Sequence, residues 1–244
     1  MKLRIALAQV NPTVGDLAAN AALVRENFKS AQEAGAHIVV FPEMVLTGYP
    51  VEDLALRPSF QIASQNALAE LAKSLTGKSV AIVGYLDQVD GAPQNMVAVI
   101  SDGVVSARYA KCHLPNYGVF DEFRNFVPGD KTLVVRIHGV DVGIAICEDL
   151  WIDGGITSQL AARKPGLVIV PNGSPYERNK DDVRLALVSK RARQAGAPLV
   201  YVNMTGGQDD LVFDGDSIVV GADGAVIARA PQFEDGIAVV DIDV

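Results

Sequence analysis

The chain has 244 residues, of which 49% are hydrophobic and 20% are charged, and its net charge is −8. That length fits one large α/β domain or two small ones, and the hydrophobic content is ample for a packed core. The negative charge, with no block of Lys or Arg, argues against nucleic acid or an anionic membrane as a partner. No apolar run reaches the ~18 residues that a membrane span requires.

The chain contains two cysteines, Cys112 and Cys147, which make no disulfide framework. A reduced, cytoplasmic compartment is therefore expected, and the first residues show no signal-peptide pattern. The three histidines, His37, His113 and His138, are too few and too scattered to predict a metal site.

Hydrophobic periodicity and turn residues predict alternating strands and helices, followed by hairpins. In chain order these are strand 3–10, helix 17–34 capped by Asp16, strand 37–41, helix 58–75, strands 80–85, 96–100, 104–110, 132–137 and 140–146, helix 156–163, strand 167–170, helix 181–195, and strands 199–203, 217–220, 225–230 and 237–242. This order predicts an α/β fold with a mixed sheet, or two sheets packed face to face with helices outside. No linker or repeat divides residues 1–244, so one domain is expected.

Three predicted strands end in reactive side chains: Glu43, Lys111 and Cys147. If these strands lie side by side in one direction, the three side chains meet at one rim of the sheet. A thiolate is a nucleophile that a nearby ammonium group favours, and a carboxylate can take the thiol proton and later activate water. This set would cleave an amide or nitrile through a thioester.

Each of these residues also has an ordinary structural interpretation. Cys147 can be a small core hydrophobe, which is the common fate of a free cysteine. Glu43 can be a solvated loop acid and Lys111 a surface lysine at the end of a hairpin. Cys112 is interpreted as structural, because alternation along the strand points it away from Lys111.

The pattern Phe41-Pro-Glu43, Lys111 and Cys147-Glu148 resembles the nitrilase superfamily of carbon–nitrogen hydrolases over essentially the whole chain. Within it, four motifs are similar to the glutaminase domain of the glutamine-dependent NAD synthetases. They are Glu43-Met-Val-Leu-Thr-Gly-Tyr-Pro50, the segment Lys111 to Arg124, Cys147-Glu-Asp-Leu-Trp151 and Asn172-Gly-Ser-Pro175.

The resemblance implies a four-layer α-β-β-α sandwich that hydrolyses L-glutamine to glutamate and ammonia for the amidation of deamido-NAD. Glu43 would be the general base, Lys111 the charged stabiliser and Cys147 the nucleophile, with the Glu148 N–H completing the oxyanion hole. The positions that match those holding the glutamine substrate are Tyr117, Glu148, Ser174 and Lys180. Loop packing is the alternative for Tyr117 and Ser174, and solvation at a helix start is the alternative for Lys180.

The resemblance further implies a homo-oligomer and no cofactor in this domain. Bacterial members continue into a synthetase domain that uses ATP and Mg, which this chain lacks, so it is expected to be either a fragment or a free-standing amidase of another small amide. A catalytically idle assembly domain is the third interpretation. Residues 205–210, Thr-Gly-Gly-Gln-Asp-Asp, resemble a pyrophosphate-binding loop but are not followed by a helix start, so they are interpreted as a loop near the active site.

Overall fold

The structure is a computed structural model that describes every residue except Asn179 and the side chains of Lys180, Asp181 and Asp182. Its strands are β1 Lys2–Gln9, β2 Ile38–Val40, β3 Val80–Val89, β4 Ala92–Ser101, β5 Val104–Ala110, β6 Leu133–Ile137, β7 Val140–Ile144, β8 Leu167–Pro171, β9 Leu199–Val202, β10 Thr205–Gln208, β11 Leu211–Asp214, β12 Ile218–Val220, β13 Val226–Arg229 and β14 Gly236–Asp243. Its α-helices are α1 Leu17–Glu33, α2 Pro58–Ser74, α3 Glu122–Asn125, α4 Ile156–Ala162 and α5 Lys180–Ala195. Short 3₁₀ turns cover Glu52–Leu56 and Cys147–Leu150.

Two six-stranded mixed sheets form the centre of the molecule. The first has the order β14-β1-β2-β3-β4-β5, and the second has the order β13-β12-β9-β8-β7-β6. In each sheet the inner strands joined through helices are parallel, whereas the strands joined by hairpins are antiparallel. The predicted α/β class with two mixed sheets is confirmed.

The alternation of side chains along β1 defines the layers. Leu3, Ile5 and Leu7 belong to the apolar cluster that includes side chains of the second sheet. Ala6 and Ala8 point the other way, into a cluster with residues of α1 and α2. Because both faces of the strand are buried, β1 is apolar throughout its centre. Helices α4 and α5 cover the opposite face of the second sheet and contact each other.

The predicted helices agree with the observed ones to within a residue at each end, because each has a distinct apolar stripe and a recognisable start or stop. Asp16 accepts a hydrogen bond from the Ala19 N–H and caps α1 as predicted. The described part of the chain contains no helix long and apolar enough to cross a membrane.

Two hairpins differ from the prediction. Strands β3 and β4 are longer than predicted and form one hairpin around Asp90-Gly91, a turn pair that the sequence analysis did not use. Residues 205–210, interpreted as a loop, form the hairpin β10–β11 together with Leu211–Asp214. Phe213 and Met204 bury this hairpin against Tyr49, which explains why a Gly-rich segment is ordered there.

Candidate active site

The three reactive side chains approach from two sheets. Glu43 follows β2 and Lys111 follows β5, both in the first sheet, whereas Cys147 follows β7 in the second. The three strands therefore do not lie side by side, which was the condition considered for bringing their ends together. Strands β2 and β5 run in the same direction but are separated by β3 and β4. The side chains still meet because the two sheets pack face to face.

Lys111 is completely buried between two carboxylates. Its Nζ lies 2.7 Å from Glu43 Oε1, and 3.0 Å and 2.9 Å from the two carboxylate oxygens of Glu122. Glu122 also accepts a hydrogen bond of 2.8 Å from the Tyr49 hydroxyl. An ammonium group in this position is balanced by charge on both sides, as a buried ion requires.

The Glu43 carboxylate is fixed by donors on both oxygens. Oε1 accepts from Lys111 Nζ and from Asn95 Nδ2, each at 2.7 Å. Oε2 accepts from the Gly173 N–H at 2.9 Å. All partners are donors, so the arrangement suits an ionised carboxylate, and a carboxylate held in this way can receive a proton without moving.

The environment shifts the proton affinity of the two groups beside Glu43. Burial opposes the charge on Lys111, but Glu122 and Glu43 outweigh it and raise its pKa well above the usual value. Burial raises the pKa of Glu122 to about 7, although Lys111 opposes the shift. Lys111 is therefore charged at neutral pH, whereas Glu122 titrates close to it.

Cys147 lies on a sharp turn rather than on a strand. Strand β7 ends at Ile144, two residues before the end predicted for it, and Cys147 begins a 3₁₀ turn with a φ of 42°. Non-glycine residues rarely adopt this conformation, and it is concentrated at functional sites. At this turn the thiol is close enough to Glu43 and Lys111 for their charges to shift its pKa.

The surroundings of Cys147 favour the neutral thiol over the thiolate. Burial and the Glu43 carboxylate raise the pKa of Cys147 well above its ordinary value, and Lys111 lowers it by less. Lys111 thus acts in the expected direction but is outweighed. Attack by this sulfur would require a base for its proton. The Glu43 carboxylate, to which Lys111 and Asn95 donate, is close enough to influence the pKa of Cys147.

A cavity of about 400 Å³ opens onto the thiol. Its lining residues are Tyr117, Phe120, Cys147, Glu148, Trp151, Ser174, Glu177, Arg178 and Val183. The Tyr117 hydroxyl donates to Glu148 Oε2 at 2.8 Å on one wall. Burial raises the pKa of Glu148, and the bond from Tyr117 opposes this shift. Among the described residues, the Glu148 N–H donates to no backbone acceptor.

Ser174 and Lys180 are the other two residues predicted to hold the substrate. Ser174 is buried in the cavity wall, and Asn203 Oδ1 accepts a hydrogen bond of 2.9 Å from its N–H. The structure therefore places Tyr117, Glu148 and Ser174 around one cavity with Cys147. The predicted contact of Lys180 involves a side chain that lies outside the described residues.

Sequence reasoning did not assign a role to Glu122 or Asn95. Glu122 lies within a motif that was recognised, but no rule assigns it to Lys111, since it begins the one-turn helix α3 inside a predicted loop. Asn95 lies in the part of β4 that was not predicted as a strand. The Asp90-Gly91 turn was the available signal, because the hairpin register then places Asn95 near the end of the sheet where Glu43 and Lys111 lie.

In the described part of the chain, no group of three or more His, Cys, Asp and Glu side chains is arranged to hold a metal ion. The two cysteines are free thiols. Cys112 is only half-buried, and its thiol contacts the Ala110 carbonyl oxygen rather than the cavity.

The sequence profile of the carbon–nitrogen hydrolase family matches residues 4–244. The chain therefore belongs to this family, and the resemblance found from the motifs is confirmed. Among curated relatives, glutamine-dependent NAD(+) synthetase of Rhodobacter capsulatus is 43% identical over 244 residues, which are 99% of this chain and 44% of that protein. The synthetase of the same name from Thermotoga maritima is 41% identical over 99% of this chain and 42% of its own length.

Solved structures with a similar fold include a synthetase of this kind and an amidase. A glutamine-dependent NAD+ synthetase from Acinetobacter baumannii in complex with adenosine diphosphate superposes with a TM-score of 0.95 at 38% identity, over 100% of this chain and 46% of that one. An amidase from Nesterenkonia sp. superposes with a TM-score of 0.86 at 28% identity, over 98% of this chain and 90% of that one. The chain spans less than half the length of the curated relatives it matches.

Proposed function

We propose that this chain is a glutaminase domain that hydrolyses L-glutamine to glutamate and ammonia through a thioester on Cys147. The observation that carries the proposal is the buried ammonium of Lys111, 2.7 Å from Glu43, next to a thiol on a strained turn that faces a cavity. An acid, a cation and a thiol in this arrangement are suited to acyl transfer.

In the first half of the reaction, Glu43 takes the thiol proton while the sulfur attacks the carbon of the substrate amide. The carbonyl oxygen becomes an oxyanion, and Lys111 Nζ and the Glu148 N–H stabilise it. Glu43 then donates its proton to the amide nitrogen. The carbon–nitrogen bond breaks, ammonia leaves, and the acyl group remains on sulfur as a thioester.

In the second half, water attacks the thioester and Glu43 takes a proton from that water. The same two donors hold the second oxyanion. Collapse of this intermediate breaks the carbon–sulfur bond, the proton on Glu43 returns to the sulfur, and glutamate leaves. Lys111 remains charged throughout, because Glu122 stays paired with it while Glu43 carries the proton.

The cavity wall supports recognition of a free amino acid. The Glu148 carboxylate, with Tyr117 on one oxygen, is suited to the α-amino group of glutamine. Ser174 contributes a hydroxyl from the opposite loop, and Lys180 is the cation we assign to the α-carboxylate.

The wider role is the supply of ammonia for the amidation of deamido-NAD. The relatives bearing the synthetase name extend well beyond the matched region. We assign the use of ATP and Mg to that further part, which would be the partner of this domain, and expect a cytoplasmic homo-oligomer. The composition and charge that disfavour nucleic acid and membrane partners fit this role.

The alternative is a free-standing amidase that acts on another small amide. The observation in its favour is the amidase from Nesterenkonia sp., of which the chain covers 90%. A structure of a mutant of that amidase shows covalent addition of the acetamide moiety of fluoroacetamide at the active site cysteine, which supports the same use of Cys147 on either substrate.

The deciding experiment measures ammonia release from L-glutamine by the purified chain, with Cys147→Ala as the control. Release that disappears in the variant supports the glutaminase. Unchanged release by Cys147→Ala would contradict the assignment of the nucleophile. If the wild-type chain is inactive on glutamine, a panel of short amides distinguishes the amidase from an idle assembly domain.

A further inference from the structure

Asp149 is a buried carboxylate that the proposed reaction does not use. Four donors and one ring nitrogen surround it. Oδ1 accepts from the N–H groups of Cys112 and His113 at 3.1 Å and 2.8 Å, and His113 Nδ1 lies 3.0 Å from the same oxygen, to which its Nδ1–H tautomer donates. Oδ2 accepts from the Tyr109 hydroxyl at 2.7 Å and from the Ile146 N–H at 3.0 Å. Three backbone N–H groups and a hydroxyl therefore converge on the two oxygens of one acceptor group.

These donors belong to the two segments that carry the reactive groups. Tyr109, Cys112 and His113 flank Lys111 at the end of β5, in the first sheet. Ile146 immediately precedes Cys147, after β7 in the second sheet. One carboxylate therefore connects the backbone on either side of the gap between the sheets, within two residues of both Lys111 and Cys147.

The backbone conformation of Cys147 is strained and has to be held by neighbouring groups. A φ of 42° is unfavourable for a side chain other than glycine, and such a residue keeps its conformation only where its surroundings fix it. The bond from the Ile146 N–H fixes the residue before the turn. The bonds from the Cys112 and His113 N–H groups fix the chain directly after Lys111. An error of about 1 Å in the placement of reacting groups can reduce the rate about 100-fold.

We propose that Asp149 is a positioning residue that sets the distance between Cys147 and Lys111 by binding their two segments together across the sheets. It contacts neither the cavity nor the reacting atoms. The inference rests on the proposed roles of Cys147 and Lys111, but not on glutamine as the substrate.

The test is Asp149→Asn, read by the rate at which iodoacetamide alkylates Cys147 and by glutamine turnover. Asparagine keeps the size of the side chain, but its NH₂ group must face donors on one side. We expect alkylation to slow at least about tenfold and kcat to fall about 100-fold, with KM changed much less. Alkylation needs no glutamine, so this readout stands even if the proposed substrate is wrong.

The matched control is Asp216→Asn, which removes a carboxylate equally buried but paired with Arg229. It should lower the melting temperature without slowing the alkylation of Cys147. If Asp149→Asn does not fold, Tyr109→Phe and His113→Ala each remove one donor from opposite oxygens, and each should slow alkylation several-fold.

Three results would overturn the proposal. The first is a folded Asp149→Asn protein that is alkylated at the wild-type rate. The second is an equal slowing in Asp216→Asn, which would make the effect a general consequence of lost buried charge. The third is a turnover of Asp149→Asn that falls only in proportion to the number of thiols that can be titrated. Each molecule with an intact thiol would then be fully active, so its reactive groups would be correctly positioned without Asp149.

Discussion

Lys111 is the side chain whose surroundings reveal most about the chemistry. A buried lysine normally loses its proton easily, because burial disfavours the charge. Here Glu43 and Glu122 reverse that tendency and keep the ammonium charged. The site therefore holds a permanent cation beside a thiol that is itself neutral. In the proposed reaction, this combination leaves the positive charge of Lys111 available to the oxyanion, because no resting thiolate occupies it.

Replacing Lys111 with methionine tests whether the reaction depends on the positive charge of Lys111. The variant keeps the length of the side chain but loses the cation, and it leaves two buried carboxylates facing each other. We expect ammonia release to fall nearly as far as in Cys147→Ala. A tenfold or smaller loss, which is about 1.4 kcal/mol of barrier, would mean that Lys111 is peripheral. Circular dichroism of the variant checks that it folds.

Glu122 predicts a specific dependence of stability on pH. Its pKa is about 7 in the folded protein against an ordinary value of 4.5, so the folded state binds the extra proton between these values. Its contribution to stability is complete below about pH 4.5 and is lost as the pH rises through about 7.

Glu122→Gln fixes the neutral form and removes this dependence. The free energy of unfolding of the variant should therefore rise relative to the wild type, by up to a few kcal/mol, as the pH increases across that interval. Urea unfolding at a series of pH values measures the difference. A difference that stays constant with pH would contradict the prediction.

At the scale of elements, the turn after β2 depends on a close approach by β3. A Cβ atom on Gly84 would lie 2.6 Å from the Pro42 carbonyl oxygen and closer still to the Met44 nitrogen. The backbone on both sides of Glu43 is thus in contact with a strand that has no side chain at this point. Leu46 donates its N–H to the Gly84 carbonyl at 3.1 Å, which holds the turn there.

Gly84→Ala should displace the Glu43 turn. Inserting a methyl group into a packed site costs about 1–3 kcal/mol, and activity should fall further than stability because Glu43 moves. The matched control is Gly236→Ala in β14, where the added Cβ has no neighbour within 4 Å. Thermal unfolding and ammonia release of the two variants give the comparison. An active Gly84→Ala protein would show that the turn has room to adapt.

The sequence predicted the helices and most strands because their apolar periodicity is local information. It did not predict how the three reactive segments come together, since the pairing of β2, β5 and β7 depends on contacts between distant parts of the chain. The strained φ of Cys147 also has no sequence signal, because the apolar run continues through Ile146. Glu122 could be quoted as part of a motif, but its partner became evident only from the folded position of Lys111.

At the scale of the whole molecule, a buried ion pair attaches the hairpin β10–β11 to helix α5. Arg184 and Asp214 are both completely buried, with Nη2 2.5 Å from Oδ2. Arg184 also donates to the Gly215 carbonyl oxygen. Burial opposes the charge on Arg184, but Asp214 keeps its pKa above the usual value. The pair and the Arg184 bond to Gly215 are thus polar contacts between α5 and the end of the hairpin.

Arg184→Met leaves Asp214 buried without its cation, which should lower the free energy of unfolding by about 3–5 kcal/mol. The double variant Arg184→Met/Asp214→Asn should recover part of that loss. As a control, Arg136→Met breaks an exposed pair with Asp141 and should cost at most about 1 kcal/mol. Denaturant unfolding of the wild type and the three variants measures these values. Equal losses from Arg184→Met and Arg136→Met would contradict the expected difference between the buried and the exposed ion pair.

Strand β1 pairs with β14 along its whole length, and the ion pair between Arg4 and Asp241 joins residues 237 positions apart. The ribosome makes β1 before β14, so the edge of β1 that pairs with β14 stays unpaired until residues 236–243 are synthesised. An unpaired apolar edge is a template for pairing with another chain. A nascent or truncated chain without residues 236–243 should therefore aggregate more readily than the full chain. Chaperones could bind this edge, and proteases could cleave near it, before β14 pairs with β1.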